Sequence, residues 1–233
     1  MSTRARLPLI AFFGIPALVC ASLGLWQVER LQERRADNAA VLAARSAAPV
    51  ALDGQTTGDP SLIEREVSAV GRYDHVHDIV LRGKAYRGSP GVEIVSPLVF
   101  EGGRTAVLVH RGFVPSPDAM TVEADSLREA GEVRVRGIAL GVPSGSGAPL
   151  ERAGYTTWAR LDFEALAGRL PYIIAPVYIR QLPDSALPPF PRRLEASPIT
   201  DGPHLNYAVQ WFAFSAMAVV FGVVVGREKR GKR

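Results

Sequence analysis

Cysteine is almost missing from this chain: among its 233 residues there is one, Cys20, and it sits inside an apolar run. No internal disulfide can therefore brace a folded domain, whatever the redox compartment. The common catalytic motifs are missing as well. The sequence contains no GxSxG elbow, no GxxxxGK[ST] loop, no HExxH pair and no CxxC, so nucleophile-elbow, phosphate-cradle, zinc-protease and dithiol chemistry have no signature to rest on. It also lacks internal repeats and long low-complexity tracts. A non-enzymatic binding or scaffolding role is the expectation.

An excess of one charge is missing too, once the chain is divided by region. The formal charge of +4 hides a segment from Gln27 to His204 with 20 Lys and Arg against 22 Asp and Glu. The surplus lies in the tails, with Arg4 and Arg6 at one end and Arg227, Lys229, Arg230, Lys232 and Arg233 against Glu228 at the other. That pattern argues against nucleic acid as a partner and in favour of membrane topology.

Two windows carry no charge. Leu7 to Trp26 runs for 20 residues and Leu205 to Gly226 for 22. At about 1.5 Å per residue each can cross a hydrocarbon layer of about 30 Å. The first window competes with a cleaved signal peptide, since Val19-Cys20-Ala21 resembles a cleavage site. The apolar run continues past that point, however, and Trp26 sits where an interfacial anchor belongs, so an uncleaved helix is favoured over a signal peptide or a lipidated Cys20.

The basic tails place both termini in the cytoplasm and the intervening domain outside. Arg30, Arg34 and Arg35 follow the first span on the external side, where they alternate with Glu29 and Glu33 as a paired helix extension. No transit peptide precedes the first span, so a bacterial plasma membrane is expected rather than a mitochondrion.

The expected organisation is a cytoplasmic tail at 1–6 and a first transmembrane helix at 7–26, its helix continuing to about 48. An extracytoplasmic β-rich domain with a proline-rich return follows at 49–203. A second transmembrane helix at 204–226 and a basic cytoplasmic tail at 227–233 complete the chain. Between residues 66 and 182, six segments mix β-branched or aromatic residues with period-two alternation: EVSAVGRYD, DIVLRGKAY, GVEIVSPLVF, TAVLVHRGFV, GEVRVRGIAL and APVYIRQL.

Turns are expected at Gly88–Gly91, Glu101–Gly103 and Pro143–Pro149, and a loop at Asp53–Pro60. One short helix is expected at Asp162–Leu170, capped by Asp162. The fold class is thus two transmembrane helices flanking a mainly-β (α+β) domain, a small antiparallel sheet or barrel with one or two short helices.

Within the β domain the chemical candidates are few. His75 and His77, as alternate strand residues beside Asp74 and Asp78, would share a face; a solvated face is the expectation and a metal pair the alternative. His110 reads as a structural strand residue. Arg111 before Gly112 reads as an anion contact or as half of a cross-strand ion pair.

The entrance to the second span carries more chemistry. On a helix, positions 204, 207 and 211 fall within about 60° of one another, so His204, Tyr207 and Trp211 share a face. A neutral imidazole above aromatic residues suits an axial bond to an iron porphyrin. The end of the first helix offers Trp26, Gln27 and Arg30, the last able to pair with a propionate. On the residues alone an aromatic belt is the favoured reading of Tyr and Trp, and Asn206 and Gln210 could instead hold helices together.

Three stretches resemble the signature regions of the Surfeit locus protein 1 family, which includes the Shy-type assembly factors. They are LGLWQVERLQER, then GSPGVEIVSPLVF followed by TAVLVHRGFVP, and lastly HLNYAVQWFAF, in order from Leu23 to Phe214. The resemblance implies assembly of haem-copper cytochrome c oxidase by a two-span membrane protein with no enzymatic activity. It further implies haem a held between the two helices for insertion into oxidase subunit I, with that subunit and haem a synthase as partners; a haem-free docking protein is the alternative. The histidine of the family's H-x-x-Y-A-x-Q-W-F pattern, the implied iron ligand, falls on His204, with Tyr207, Gln210 and Trp211 as companions. Trp26 and Gln27 match the first pattern, with Arg30 following. Where the family has asparagine, arginine, glycine and tryptophan, this chain has His110, Arg111, Gly112 and Phe113, which keeps the apolar bulk without the indole N–H.

Overall fold

A computed structural model describes residues 3–145, 148–152 and 155–231. The chain divides into two compact units: a helical one, Met1–Val41 with Pro198–Arg233, and a β-rich one, Leu42–Ser197.

In the helical unit, α1 (Thr3–Ser46) is one continuous helix of 44 residues. It outruns its apolar window because Gln27 to Ala48 contains neither glycine nor proline, and Pro49 bars further extension. The second helix of this unit, α3, covers His204–Gly231. Both helices are long and apolar enough to cross a membrane, and little of either apolar window is buried. Phe12, Leu18, Phe214 and Phe221 all stand uncovered, as lipid-facing side chains do and a soluble core does not.

Small residues bring the two helices together. Ala17 and Ala208 are buried, a Cβ on Gly24 would lie 2.6 Å from the Phe212 ring, and one on Gly222 would lie 3.0 Å from Phe13. The Ser215 hydroxyl donates to the Ala17 carbonyl at 2.8 Å. In lipid, where no hydrophobic gain drives helices together, such close backbone approach supplies the packing.

The β unit holds nine strands among the described residues: β1 (Val50–Leu52), β2 (Glu66–Tyr73), β3 (Ile79–Tyr86), β4 (Ser89–Val99), β5 (Thr105–Pro115), β6 (Val133–Gly141), β7 (Leu150–Arg152), β8 (Tyr155–Trp158) and β9 (Ile173–Gln181). The order β2-β6-β9-β5-β4 closes on itself, because β2 also pairs with β4 at Arg72↔Val99 and Tyr73↔Leu98. Five strands thus form a small barrel. Strand β3 continues the sheet from β4, followed by β8 and β7, and β1 lies parallel to β2.

Alternation decides what fills the barrel. Val67 and Ala69, Val107 and Val109, Val135 and Ala139, and Val177 and Ile179 point into one cluster with Leu98, while Arg134 and Arg136, alternating with Val133 and Val135 of β6, stand exposed. The outer face of β3, β4 and β5 is sealed by Trp158, Leu161 and the short helix α2 (Phe163–Ala167). Asp162 caps that helix, its carboxylate accepting from the Ala165 N–H at 3.2 Å.

All six expected strands form, and three very short ones, β1, β7 and β8, join them. Two expectations are corrected. The β3–β4 turn is made by Arg87 and Gly88 alone, and Ser89 to Gly91 already belong to β4. His75 to His77 form a 3-10 turn rather than a strand, because the Asp74 carboxylate accepts from the Val76 N–H and bends the chain. The Pro143–Pro149 turn lies partly outside the described residues, as do Lys232 and Arg233 of the basic tail.

Candidate functional site

Two polar side chains 177 residues apart meet at the entrance of the helix pair. His204 Nδ1 lies 2.9 Å from Gln27 Oε1. A carbonyl oxygen only accepts, so Nδ1 carries a proton, and in the neutral ring the lone pair is then on Nε2. That nitrogen has no partner among the described residues. Gln27 is buried and His204 half-buried, so the amide acts as an internal support and the imidazole edge faces outward. Held this way, a histidine is prepared to bind a metal through Nε2.

The other entrance residues surround this pair unevenly. Tyr207 and Trp26 are half-exposed, at 46% and 50%, and Trp211 is half-buried with its ring edge-on to Phe214 at 6.0 Å. Arg30 extends outward and pairs with Glu33 at 2.5 Å. Gln210 is exposed and makes no side-chain hydrogen bond among the described residues; six residues along, it lies about 120° around the helix from His204. The structure therefore joins His204 with Gln27, flanks them with Tyr207, Trp211 and Trp26, and turns Gln210 away. The seam between the helices is filled at Gly24 and Phe212.

In the β unit the HRGF stretch proves to be a joint. Arg111 is fully buried and is the residue that the β4–β5 register shift leaves unpaired, between His110↔Val95 and Gly112↔Ile94. Its Nη2 donates to the Leu127 carbonyl at 2.5 Å and to Glu129 Oε1 at 2.7 Å, and its guanidinium lies 4.9 Å from the Tyr73 ring centre. Glu129 also accepts from Arg193 Nη2 at 2.8 Å, and Arg193 Nε donates to Gln181 at 3.0 Å. The ion-pair partner of Arg111 is thus a loop carboxylate, while its Nη1 donates to Ser96 Oγ on the neighbouring strand β4 at 3.3 Å.

Phe113 exchanges backbone hydrogen bonds with Arg192, 2.9 and 2.7 Å long, which straps the proline-rich return against β5. Glu129, Arg193 and Gln181 were invisible as a group in the sequence. The one local hint was an arginine pair inside the PPFPRR run.

Burial alone would raise the Glu129 carboxyl, but hydrogen bonding and charge from Arg111, with the charge of Arg193, more than offset it and hold it below the ordinary glutamate range. Glu93 behaves alike. Burial pushes it up, and the hydrogen bond and charge of His110, helped by Lys84 and Arg180, bring it below its usual value. His110 Nε2 stands 3.1 Å from Glu93, with its Nδ1 buried and unpartnered.

His75 and His77 do not converge. His75 Nδ1 faces Asp78 at 3.0 Å and its Nε2 accepts from the Glu129 N–H at 3.0 Å, while His77 Nδ1 faces Asp74 at 2.7 Å. Among the described residues no three His, Cys, Asp or Glu side chains are grouped to hold a metal ion. His75 is a partly buried brace rather than a solvated surface residue. A cavity of about 700 Å³ opens beside Val70 and Gly71 of β2, on the side away from β6 and between the β1 and β4 pairings, and it is lined by Arg72 and Arg134 together with Asp53, Glu101 and Glu132. Mixed charge of this kind selects no ligand class.

The model of the SURF1 family matches residues 14–216, a span that holds both the helix entrance and the HRGF joint. The chain is 26% identical over 235 residues to a SURF1-like protein of Monosiga brevicollis, covering 96% of this chain and 88% of that protein. It is 25% identical over 227 residues to an uncharacterized SURF1-like protein of Mycobacterium tuberculosis, covering 91% of this chain and 79% of the relative.

Proposed function

Starting from the fact that the chain belongs to the SURF1 family, an assembly-factor family associated with cytochrome oxidase, we propose that it holds haem a at His204 and aids its insertion into oxidase subunit I. The observation that carries this reading is the 2.9 Å Gln27–His204 hydrogen bond, which places a proton on Nδ1 and leaves Nε2 without a protein partner among the described residues. The residues present fit the group. A neutral imidazole suits haem iron, and Tyr207, Trp211 and Trp26 give aromatic surface on the exposed flank of the helix pair.

Haem a is cargo in this reading, bringing the iron and porphyrin that the oxidase later uses. The protein's own work is to present one nitrogen, to cover an apolar ring and to release both. A single neutral ligand on a half-exposed flank is suited to release, since no second protein ligand need be displaced. Arg30 holds Glu33 through Nη1 alone, and its remaining donors could pair with a propionate. The setting proposed is a bacterial plasma membrane with both termini cytoplasmic, as the tail charges favour, and haem a synthase is the proposed donor.

A second reading is favoured by one observation. The helices fill their own seam at Gly24 and Phe212, leaving Tyr207, Trp26 and Gln210 on the outside, where a protein partner could dock without haem. The two readings separate in a visible absorption spectrum of full-length protein purified in detergent from cells that make haem a. A Soret band and a reduced α band typical of haem a, lost in His204→Ala, is the expected result. Colourless protein that still co-purifies with oxidase subunit I would replace the haem reading with the docking one.

A further inference from the structure

We infer that Asp201, gripped by Arg35 and Asn38 of α1, is a latch that sets the first turn of α3 and thereby presents His204 to Gln27. Its consequence for haem rests on the reading of His204 given above; the latch itself rests on geometry alone.

Arg35 Nε donates to Asp201 Oδ2 at 2.8 Å, and Asn38 Nδ2 donates to Asp201 Oδ1 at 3.2 Å. Each carboxylate oxygen thus has its own donor, and the donors sit one helical turn apart on α1. Asn38 also donates to the Thr200 carbonyl at 3.1 Å, and Arg34 Nε reaches the same oxygen at 3.4 Å. Three α1 side chains therefore hold two consecutive residues of the incoming chain. The hydrogen bond from Arg35 is the main cause that keeps the Asp201 carboxyl below the usual aspartate range; burial opposes it, and the charge of Arg35 and the hydrogen bond from Asn38 add to it.

Little slack separates the latch from the histidine. Gly202 has φ +70°, a conformation open mainly to glycine, and Pro203 fixes its own φ. Helix α3 begins at once, with the Tyr207 N–H donating to the Pro203 carbonyl at 3.1 Å. A Cβ on Gly202 would meet His204 Cδ2 at 3.5 Å, so the imidazole rests against this turn. On the other side, Gln27 and Arg35 are eight residues apart on one unbroken helix, about 12 Å of rigid spacing. The two contacts, 35 to 201 and 27 to 204, fix the entering strand at two points on the same ruler. The Gln27–His204 bond is neutral and single, whereas the latch is charged and double, so the latch is the stronger determinant of register.

The experiment uses the full chain in detergent, with Cys20→Ser to remove the native thiol. Gln27→Cys and His204→Cys form a reporter pair whose oxidative cross-linking rate, followed by mass spectrometry, reads the register without haem. Ala17→Cys and Ser215→Cys form a second pair farther along the same helices. Asp201→Ala should slow the 27–204 cross-link about tenfold, by lowering effective concentration, and leave the 17–215 pair unchanged. Exchanging the partners, Arg35→Asp with Asp201→Arg, should restore the rate.

An unchanged 27–204 rate in Asp201→Ala would overturn the latch. Equal slowing of both pairs would also overturn it, since Asp201 would then hold the helix pair as a whole. With residues 27 and 204 native, Asp201→Ala should weaken haem uptake about tenfold, as loss of support for a ligand does. If the wild-type chain takes up no haem while the cross-link still depends on Asp201, the haem reading falls and the latch stands.

Discussion

A Cβ placed on Gly112 would lie 2.1 Å from the carbonyl oxygen of Arg192. The return segment thus passes β5 at a distance that only glycine allows, and the φ of +127° at Gly112 is itself one that side chains resist. On either side of this point, Arg111 reaches inward to Glu129 and Phe113 is buried beneath Tyr86. The HRGF stretch is therefore a fastening between the barrel and the segment that leads back to the membrane.

Gly112→Ala should unfasten the return. The variant adds a clash with backbone that cannot turn aside and a strained φ, a combination that destabilises by about 2–4 kcal/mol. Thermal unfolding of the purified chain should show a clear loss, and limited proteolysis should cut within 182–197 at a rate the wild type does not show. Wild-type protease resistance in that window would mean that the strap holds by Arg193 alone.

Glu129 ties stability to pH in a definite direction. Its carboxyl is depressed in the folded chain, so its contribution is complete above the ordinary glutamate value of 4.5 and is lost as pH falls through the lower folded value. Glu129→Gln should flatten this acid limb in part, because Glu93, also depressed, retains its share. The same change leaves Arg111 and Arg193 without their carboxylate and should destabilise by about 3 kcal/mol near neutrality. Unfolding temperatures between pH 3 and 7 test both effects, and an unaltered acid slope would remove Glu129 as its source.

Much of the fold was legible because its periodicities are strong. Val133, Val135, Arg134 and Arg136 announce a strand with one buried face, and the charge-free windows announce spans. What escaped was set by partners distant in sequence or by segments too short to show a period. β1 and β7 have three residues each, fewer than two full alternations. His75 and His77 satisfy a period of two, yet the cap from Asp74 turns the chain before a ladder can form. At the helix entrance, the kinds of residue were legible and their pairing was not. Gln27 faces His204 only because two helices lie antiparallel in one register, and Gln210, equally polar, faces away.

The helix seam gives a third prediction. Gly24 leaves room for the Phe212 ring, whose nearest atom would stand 2.6 Å from an added Cβ. Gly24→Leu should force the helices apart and weaken their association by about 1–2 kcal/mol. Cross-linking between Ala17→Cys and Ser215→Cys, in a Cys20→Ser background, should fall accordingly. Ser22→Leu, on the exposed face of α1, should leave it unchanged; a similar fall there would show that bulk anywhere on α1 has the same effect.

Gln27 provides the sharpest test of the site, because it touches the histidine without being able to touch the iron that Nε2 would bind. Gln27→Leu keeps the volume and removes the acceptor for Nδ1–H. The imidazole then loses both its fixed tautomer and its orientation, and an Nδ1–H in an apolar setting is left unpaired. Haem affinity should fall about 10- to 100-fold, the usual range for loss of such a support. Gln27→Glu should instead keep an acceptor at the same place and strengthen the donor character of the ring, so its haem affinity should stay near wild type. Titration of haem into the two variants, read at the Soret band, distinguishes support from mere packing: equal losses in Gln27→Leu and Gln27→Glu would mean that the amide matters for its shape, and equal wild-type affinity in both would detach Gln27 from the ligand altogether.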